Sequence, residues 1–283
     1  MADPFDAHNG RRGKWMGFEH GRESFGMGKE KGGLPESLAS ISATDRVRRE
    51  IEARIVAGLL PPGAQLDEGR LSRIFSISRT PVREALLQLQ VLGFVRIAAR
   101  SGTYVVQLSA GELADIFESL AYAEGLCARL VVQRIGSAQI KDLRLLHKEG
   151  KRAVTRKSLD DYSAYNKAFH ELFYANCGNA YLINQITQMR KRTNPYRMRH
   201  FDYTDRMASS WFEHDRLLLA VVNKDEHGAA REATEHILVG GKDFCDLVAA
   251  SPEYLQFDPD TSAAWDCGIA DMPSVFAPTP PVH

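Results

Sequence analysis

The run Ser78-Arg79-Thr80-Pro81-Val82-Arg83-Glu84-Ala85-Leu86-Leu87-Gln88-Leu89-Gln90-Val91-Leu92-Gly93-Phe94-Val95 restricts this chain more than any other stretch. Ser78 suits an N-cap, Pro81 falls in the first turn where its missing N–H costs nothing, and Gly93 follows the last apolar residue as a helix stop. Val82, Leu86, Leu89 and Leu92 recur at helical spacing, so one stripe is buried and Arg79, Arg83 and Gln90 point elsewhere. The basic N-terminal end of such a helix is exposed. It fits a DNA major groove, where arginine pairs bidentately with guanine O6 and N7.

The flanking sequence supplies the rest of a small domain. Val47, Ile51, Ile55 and Leu59 form the stripe of a helix beginning near Thr44, with Arg46, Arg48, Arg49 and Arg54 outside it and Leu60-Pro61-Pro62-Gly63 ending it. Asp67 caps a second, short helix whose Leu71, Ile74 and Phe75 face inward, and Ser76-Ile77-Ser78 makes the turn into the third. Phe94 to Ile97 and Thr103 to Val106 read as two strands around Ala98-Ala99-Arg100-Ser101-Gly102. Three helices and a hairpin make a winged helix-turn-helix over residues 43–107. Charge agrees: the chain has a formal net charge of zero, yet this segment holds ten arginines against six acids. A polyanion is therefore met here, and the acidic remainder takes no part. For Arg46, Arg48 and Arg49, phosphate contact and a solvated helix face both stay open.

Other classes are excluded by composition. No apolar run approaches a membrane span and the N-terminus lacks the apolar core of a signal peptide, which points to the cytoplasm and to no membrane partner. Cys127, Cys177, Cys245 and Cys267 show no paired spacing, as expected of thiols in a reducing compartment. Residues 1–42, rich in Gly, Lys, Arg and Glu without apolar periodicity, read as a disordered arm, and the proline-rich residues 251–283 as a disordered tail.

Residues 108–250 are almost wholly helical in pattern. Ser109 to Glu112 is a capping box followed by Leu113, Ile116, Phe117, Leu120, Glu124, Cys127 and Val131 on one face. A second helix starts at Ser137 and runs to about Lys157, a third opens with Ser158 to Asp161 and closes at Gly178-Asn179, and further helices cover about 180–192, 208–223 and 226–249. Asn166 and His170 lie four apart on one helix face; His214 shares its face with Leu217, Leu218 and Val221, and His236 with Ala229 and Ala233. A lone inward histidine is ordinarily a satisfied core residue. Three of them on inward faces of different helices, with an amide one turn before the first, suit Zn or Ni. His147, His200 and His227 fall outside this pattern and read as surface residues. Arg190, Arg192 and Arg197 cluster after the Gly178-Asn179 turn, where they either meet an anion or form a solvated charge run.

The residues from Ile55 to Val106 resemble the N-terminal domain of GntR-family bacterial transcription regulators, in Ala57-Gly58-Leu59-Leu60-Pro61-Pro62-Gly63, Ser78 to Leu86, Gly93-Phe94-Val95 and Gly102. The resemblance implies that Arg79 and Arg83, flanked by Ser78 and Thr80, contact operator bases or phosphates, and that Arg100 and Gly102 form the wing tip. Arg70 follows Gly69 where relatives usually open the second helix with arginine. Asn166 to Phe173, Cys177-Gly178-Asn179, Glu213 to Val221 and Glu235-His236-Ile237 resemble the FCD effector domain of the FadR-type branch, over about residues 110–248. There the positions matching Asn166, His170, His214 and His236 commonly hold a divalent metal beneath a small carboxylate effector. This chain departs in having Asn166 where most relatives have Asp, and Leu120 where many have an effector-binding arginine; Glu124 is retained. Glu124, Arg192 and Arg197 are the expected effector contacts. The expected fold is mainly α, a winged helix-turn-helix followed by an all-α bundle. The expected function is that of a homodimeric, ligand-responsive regulator on a palindromic double-stranded DNA operator, and not of an enzyme.

Two other classes make demands that these residues do not meet. A metal-dependent hydrolase fused to a DNA-binding module needs an open metal position and a placed base. His170-Glu171 does not extend to HExxH, since residue 174 is Tyr, and no nucleophile elbow or phosphate loop is present. A nucleoid-type structural protein would spread basic charge along the chain, which the acidic second half does not.

Overall fold

The computed structural model describes residues 41–197 and 206–250. The expected arm, apart from Ile41 and Ser42, and the expected tail lie outside it, as do His200 and Cys267. Helix α1 (Ala43–Val56) is capped by the Ser42 hydroxyl, which accepts from the Asp45 N–H at 3.0 Å. It stops earlier than the prolines imply, because the chain turns at Gly58 with φ +71°. Strand β1 (Gln65–Leu66) leads to α2 (Glu68–Phe75), α3 (Arg79–Val91) and the hairpin strands β2 (Val95–Ala98) and β3 (Gly102–Val105). The sheet order is β1-β3-β2, all antiparallel, with Leu66 opposite Thr103 and Arg96 opposite Tyr104. At two residues β1 is too short to leave a period-2 pattern, so sequence reasoning found only the hairpin.

Val47, Ile51, Ile55, Leu71, Val82, Leu86, Leu89, Phe94 and Val105 make the core of this domain. Three sequence expectations are corrected. Arg54 is not outside the α1 stripe but buried against Glu50. Ile74 is 40% exposed, since the eight-residue α2 offers only Leu71 to full burial. Ser78 takes the N-cap position of α3 with extended backbone, but its side chain makes no capping bond, which leaves the hydroxyl free for another partner.

The second domain consists of α4 (Ala110–Arg134), α5 (Ser137–Arg156), α6 (Leu159–Cys177), α7 (Ala180–Arg197), α8 (Arg206–Val222) and α9 (Glu226–Ala250). The Ser109–Glu112 capping box forms in both directions. Helix α4 is the centre: its Leu113, Phe117, Leu120, Cys127 and Val131 are buried, and it packs on α6, α7 and α9. The α4–α9 crossing is close enough that a Cβ at Gly125 would fall 2.9 Å from the Ala230 carbonyl oxygen. Helix α7 runs past its expected end, through Pro195, because its last turns pack on the first domain. There Lys191 pairs with Glu52 at 2.7 Å, the Asn194 amide donates to the Val56 carbonyl at 3.1 Å, and the Leu108 N–H donates to the Tyr196 hydroxyl at 2.7 Å. Among the described residues no helix is long and apolar enough to cross a membrane, and Cys127, Cys177 and Cys245 are free thiols.

Candidate metal centre and DNA-binding face

Helices α6, α8 and α9 each bring one buried histidine to a common point. One ring nitrogen each of His170, His214 and His236 lies within 4.8 Å of the others, and His214 Nε2 faces His236 Nε2 at 3.3 Å. The inward stripes foreseen in sequence thus converge. Asn166 sits one turn before His170 on α6 and is half-buried.

Around the cluster stand Glu213, Arg206 and Tyr174, which the sequence did not single out for this place, together with Arg190 and the expected effector contact Glu124. His236 Nδ1–H donates to Glu213 at 2.6 Å, and Glu213 in turn receives both Nη groups of the buried Arg206 at 2.5 and 2.8 Å. Burial works to raise the Glu213 carboxyl, but the hydrogen bonds from His236 and Arg206 outweigh it and hold the group below its ordinary value. On the other side Arg190 Nε donates to Glu124 at 2.6 Å and Arg190 Nη2 to His170 Nδ1 at 3.0 Å, while the Tyr174 hydroxyl donates to Glu124 at 2.5 Å. Burial opposes the Arg190 charge, yet Glu124 keeps it firmly protonated. Arg190 therefore does not belong to a solvated run; it is the guanidinium beside the histidines. Ile186, Arg190 and Thr193 at i, i+4 and i+7 form an inward stripe that was present in the sequence. Arg192, two residues on and so turned about 200° around α7, is carried to the opposite side. Its guanidinium lies against Gly93, beside Ile55, Phe94 and Tyr196. The Arg197 side chain lies outside the described residues.

His147 is also corrected. It is buried, stacked on Trp211 with ring centroids 4.5 Å apart, and bonded to Tyr165 and Asp215. His227 is exposed as expected.

Desolvation lowers the proton affinity of His214 well below the ordinary histidine value, and of His236 and His147 below it, so all three imidazoles are neutral at pH 7. Neutral imidazole is the metal-binding form, and a nitrogen set of this kind suits Zn or Ni. The carboxylate–His236 pair is the outer bond that such a ligand normally makes. His170 fits with one condition. Arg190 can only donate, so an ion ligated through His170 Nε2 requires the guanidinium to leave Nδ1 and rest on Glu124 alone.

In the first domain Arg70, Ser78, Arg79, Thr80 and Arg83 are all exposed around the start of α3. Arg79 lies beside Gly69, so the small residue that departs from the usual arginine leaves room for this guanidinium. Arg83 is held by Glu68 through two bonds of 3.2 and 3.0 Å. At the hairpin tip Arg100 is exposed with φ +64° and Gly102 has φ +117°; the Tyr104 hydroxyl closes the turn on the Ser101 carbonyl at 2.7 Å. Arg48 is engaged with Glu52, whereas Arg46 and Arg49 stay exposed on α1.

A winged helix with an arginine-bearing third helix, joined to a helical bundle around buried histidines, defines the class of DNA-binding transcription regulators. Within that class, the chain belongs to the bacterial regulatory proteins of the GntR family, matched over residues 43–105, and carries an FCD domain, matched over residues 115–238. Such proteins are regulators and not enzymes. It is 27% identical over 194 residues to the HTH-type transcriptional repressor RspR of Escherichia coli, covering 68% of this chain and 84% of the relative. It is 30% identical over 154 residues to the gluconate operon transcriptional repressor of Bacillus licheniformis, covering 53% of this chain and 61% of the relative. Among solved structures, Escherichia coli McbR/YncC shares the fold with a TM-score of 0.59 at 21% identity, over 76% of this chain and 99% of that one. A GntR transcriptional regulator from Rhodococcus does so with a TM-score of 0.52 at 16% identity, over 74% and 98%.

Proposed function

We propose that this GntR-family regulator acts in the cytoplasm as a homodimer on a palindromic operator, and that a small carboxylate effector bound over a divalent metal in the helical domain modulates DNA binding. His170, His214 and His236 are the metal ligands, with Asn166 offering its carbonyl oxygen as a fourth. The observation that carries the reading is the convergence of three buried imidazoles from three helices, two of which, His214 and His236, are kept neutral by burial. Charge balance supports the effector class. Glu124 is already paired with Arg190 and Glu213 with Arg206, so the charge of a bound ion stays uncancelled by its neutral ligands and attracts an anion. Arg190 compensates for Leu120, which is buried core and supplies no guanidinium. Helix α7 offers a path to the operator, since Arg190 touches the cluster while the adjacent Lys191 holds Glu52 of α1. For effector and operator to be coupled, the effector must bind the two domain arrangements unequally.

Metal analysis of untagged protein, calorimetry with small carboxylates, and selection of bound DNA from a random pool test the reading together. The expected result is one divalent ion per chain, carboxylate binding that disappears after chelation, and a two-fold symmetric site. Protein that purifies metal-free and takes up no added Zn or Ni overturns the metal centre. Asn166→Asp, which adds a charged ligand, is expected to tighten metal retention while weakening the anionic effector; His214→Ala loses both.

A further inference from the structure

We propose that Tyr165 and His147, anchored by Asp215, are positioning residues that set the tautomer of His214 so that its Nε2 lone pair faces the histidine cluster. The inference rests on the metal reading for its purpose, although the relay itself stands on hydrogen bonds among this chain's own side chains.

The geometry runs inward from the surface. Asp215, 55% exposed on α8, accepts from His147 at 3.0 Å. His147 Nδ1 meets the Tyr165 hydroxyl at 2.8 Å, and that hydroxyl meets His214 Nδ1 at 3.1 Å. Each bond dictates the next. A carboxylate only accepts, so His147 Nε2 carries the proton and its Nδ1 is the lone pair. The Tyr165 O–H must then donate to His147 Nδ1. Its oxygen is left to accept, so His214 donates through Nδ1–H and presents Nε2 as a lone pair. On the far side Glu213 accepts from His236 Nδ1–H and leaves His236 Nε2 as a lone pair too. Two lone pairs then face each other across 3.3 Å, an arrangement that a cation between or beside them stabilises and that nothing apolar can.

The relay is built rather than incidental. A Cβ at Gly150 of α5 would fall 2.6 Å from Tyr165 Cε1 and Cζ, so the ring is seated directly on the helix backbone. Trp211 stacks on His147 and donates its indole N–H to the His147 carbonyl at 3.1 Å, fixing the imidazole's position.

The test uses the full chain, stripped of metal. Imidazole nitrogen NMR reads the His214 tautomer, and titration with zinc alone reads affinity. The wild type is expected to show His214 protonated at Nδ1. Tyr165→Phe is expected to shift it toward the Nε2–H form and to weaken zinc binding about 10- to 100-fold. Asp215→Ala changes a largely exposed side chain, and is expected to move both readings the same way by a smaller factor. An unchanged tautomer in Tyr165→Phe, or zinc affinity within about twofold of wild type, overturns the relay. A wild type that binds no zinc while its tautomer still depends on Tyr165 overturns the metal reading and leaves the relay standing.

Discussion

The arginines expected to meet DNA and the histidines expected to meet a metal are held in opposite ways. Arg70, Arg79 and Arg83 stand exposed around the N-terminal end of α3, all from one stretch of sequence. His170, His214 and His236 are buried, come from α6, α8 and α9, and each is bonded to a residue from another place: Arg190, Tyr165 and Glu213. A surface that reads a polyanion needs solvated charge that can rearrange on contact. A centre for an ion needs groups held neutral and aimed, which requires exclusion of water and outer partners. The two halves therefore ought to respond differently to the same kind of change.

The largest effect is expected in the helical domain. Glu124→Gln leaves Arg190 buried without its opposing charge, and removal of one partner from such a pair costs about 3–5 kcal/mol. Denaturant unfolding of the metal-free protein measures it. A loss under about 1 kcal/mol would mean that Arg190 reaches water, which breaks the contrast drawn above. Next comes Arg79→Ala, expected to leave stability within about 0.5 kcal/mol while costing about 1–3 kcal/mol at one operator base pair in each half-site. Binding measured across operator variants decides it, because a uniform loss on all sequences would show that Arg79 only grips phosphate.

Acidification sharpens the comparison through the histidines. The folded-state proton affinities of His147, His214 and His236 lie below the ordinary value of 6.5, so above that pH neither state is protonated and stability is full. As pH falls below 6.5 the unfolded chain takes up protons that the folded chain refuses, and each such histidine removes up to about 1.4 kcal/mol per pH unit. Thermal unfolding of the metal-free protein between pH 7.5 and 5 is expected to show the decline, and His214→Gln to make it shallower. A flat profile would place the imidazoles in water. The smallest effect belongs to Glu68→Gln, at the half-buried partner of the exposed Arg83. The melting temperature is expected to stay put, while freeing the guanidinium tightens binding to any DNA and steepens its salt dependence. Unchanged DNA affinity would show that Arg83 keeps its bond to Glu68 on the operator.

Much of this was legible because the signals were local. Capping residues, the apolar stripe of α3, the Gly93 stop and the Ser109–Glu112 box each act within a few residues, and each formed, except that Ser78 holds the cap position without the bond. The inward faces of the three histidines were likewise readable from periodicity. His147 reads as a surface group in the sequence, and for Arg190 anion contact and a solvated run stay open there, because a charged or titratable residue looks solvated until its partner is known. The partners Glu124 and Asp215 lie 66 and 68 residues away.

By itself, then, the sequence determined a winged helix with an exposed arginine-bearing third helix, an all-helical second domain, and three histidines turned toward its interior. Propensity, capping and hydrophobic period act over one or two turns and need no distant information. Only the tertiary structure decided that Arg190 and not Arg192 stands beside those histidines, and that Glu213, Tyr165 and His147 orient them. The helices' mutual rotation and separation set which side chains meet, and burial then makes each meeting a requirement, since an inward charge or imidazole without a partner costs more than the fold can offset.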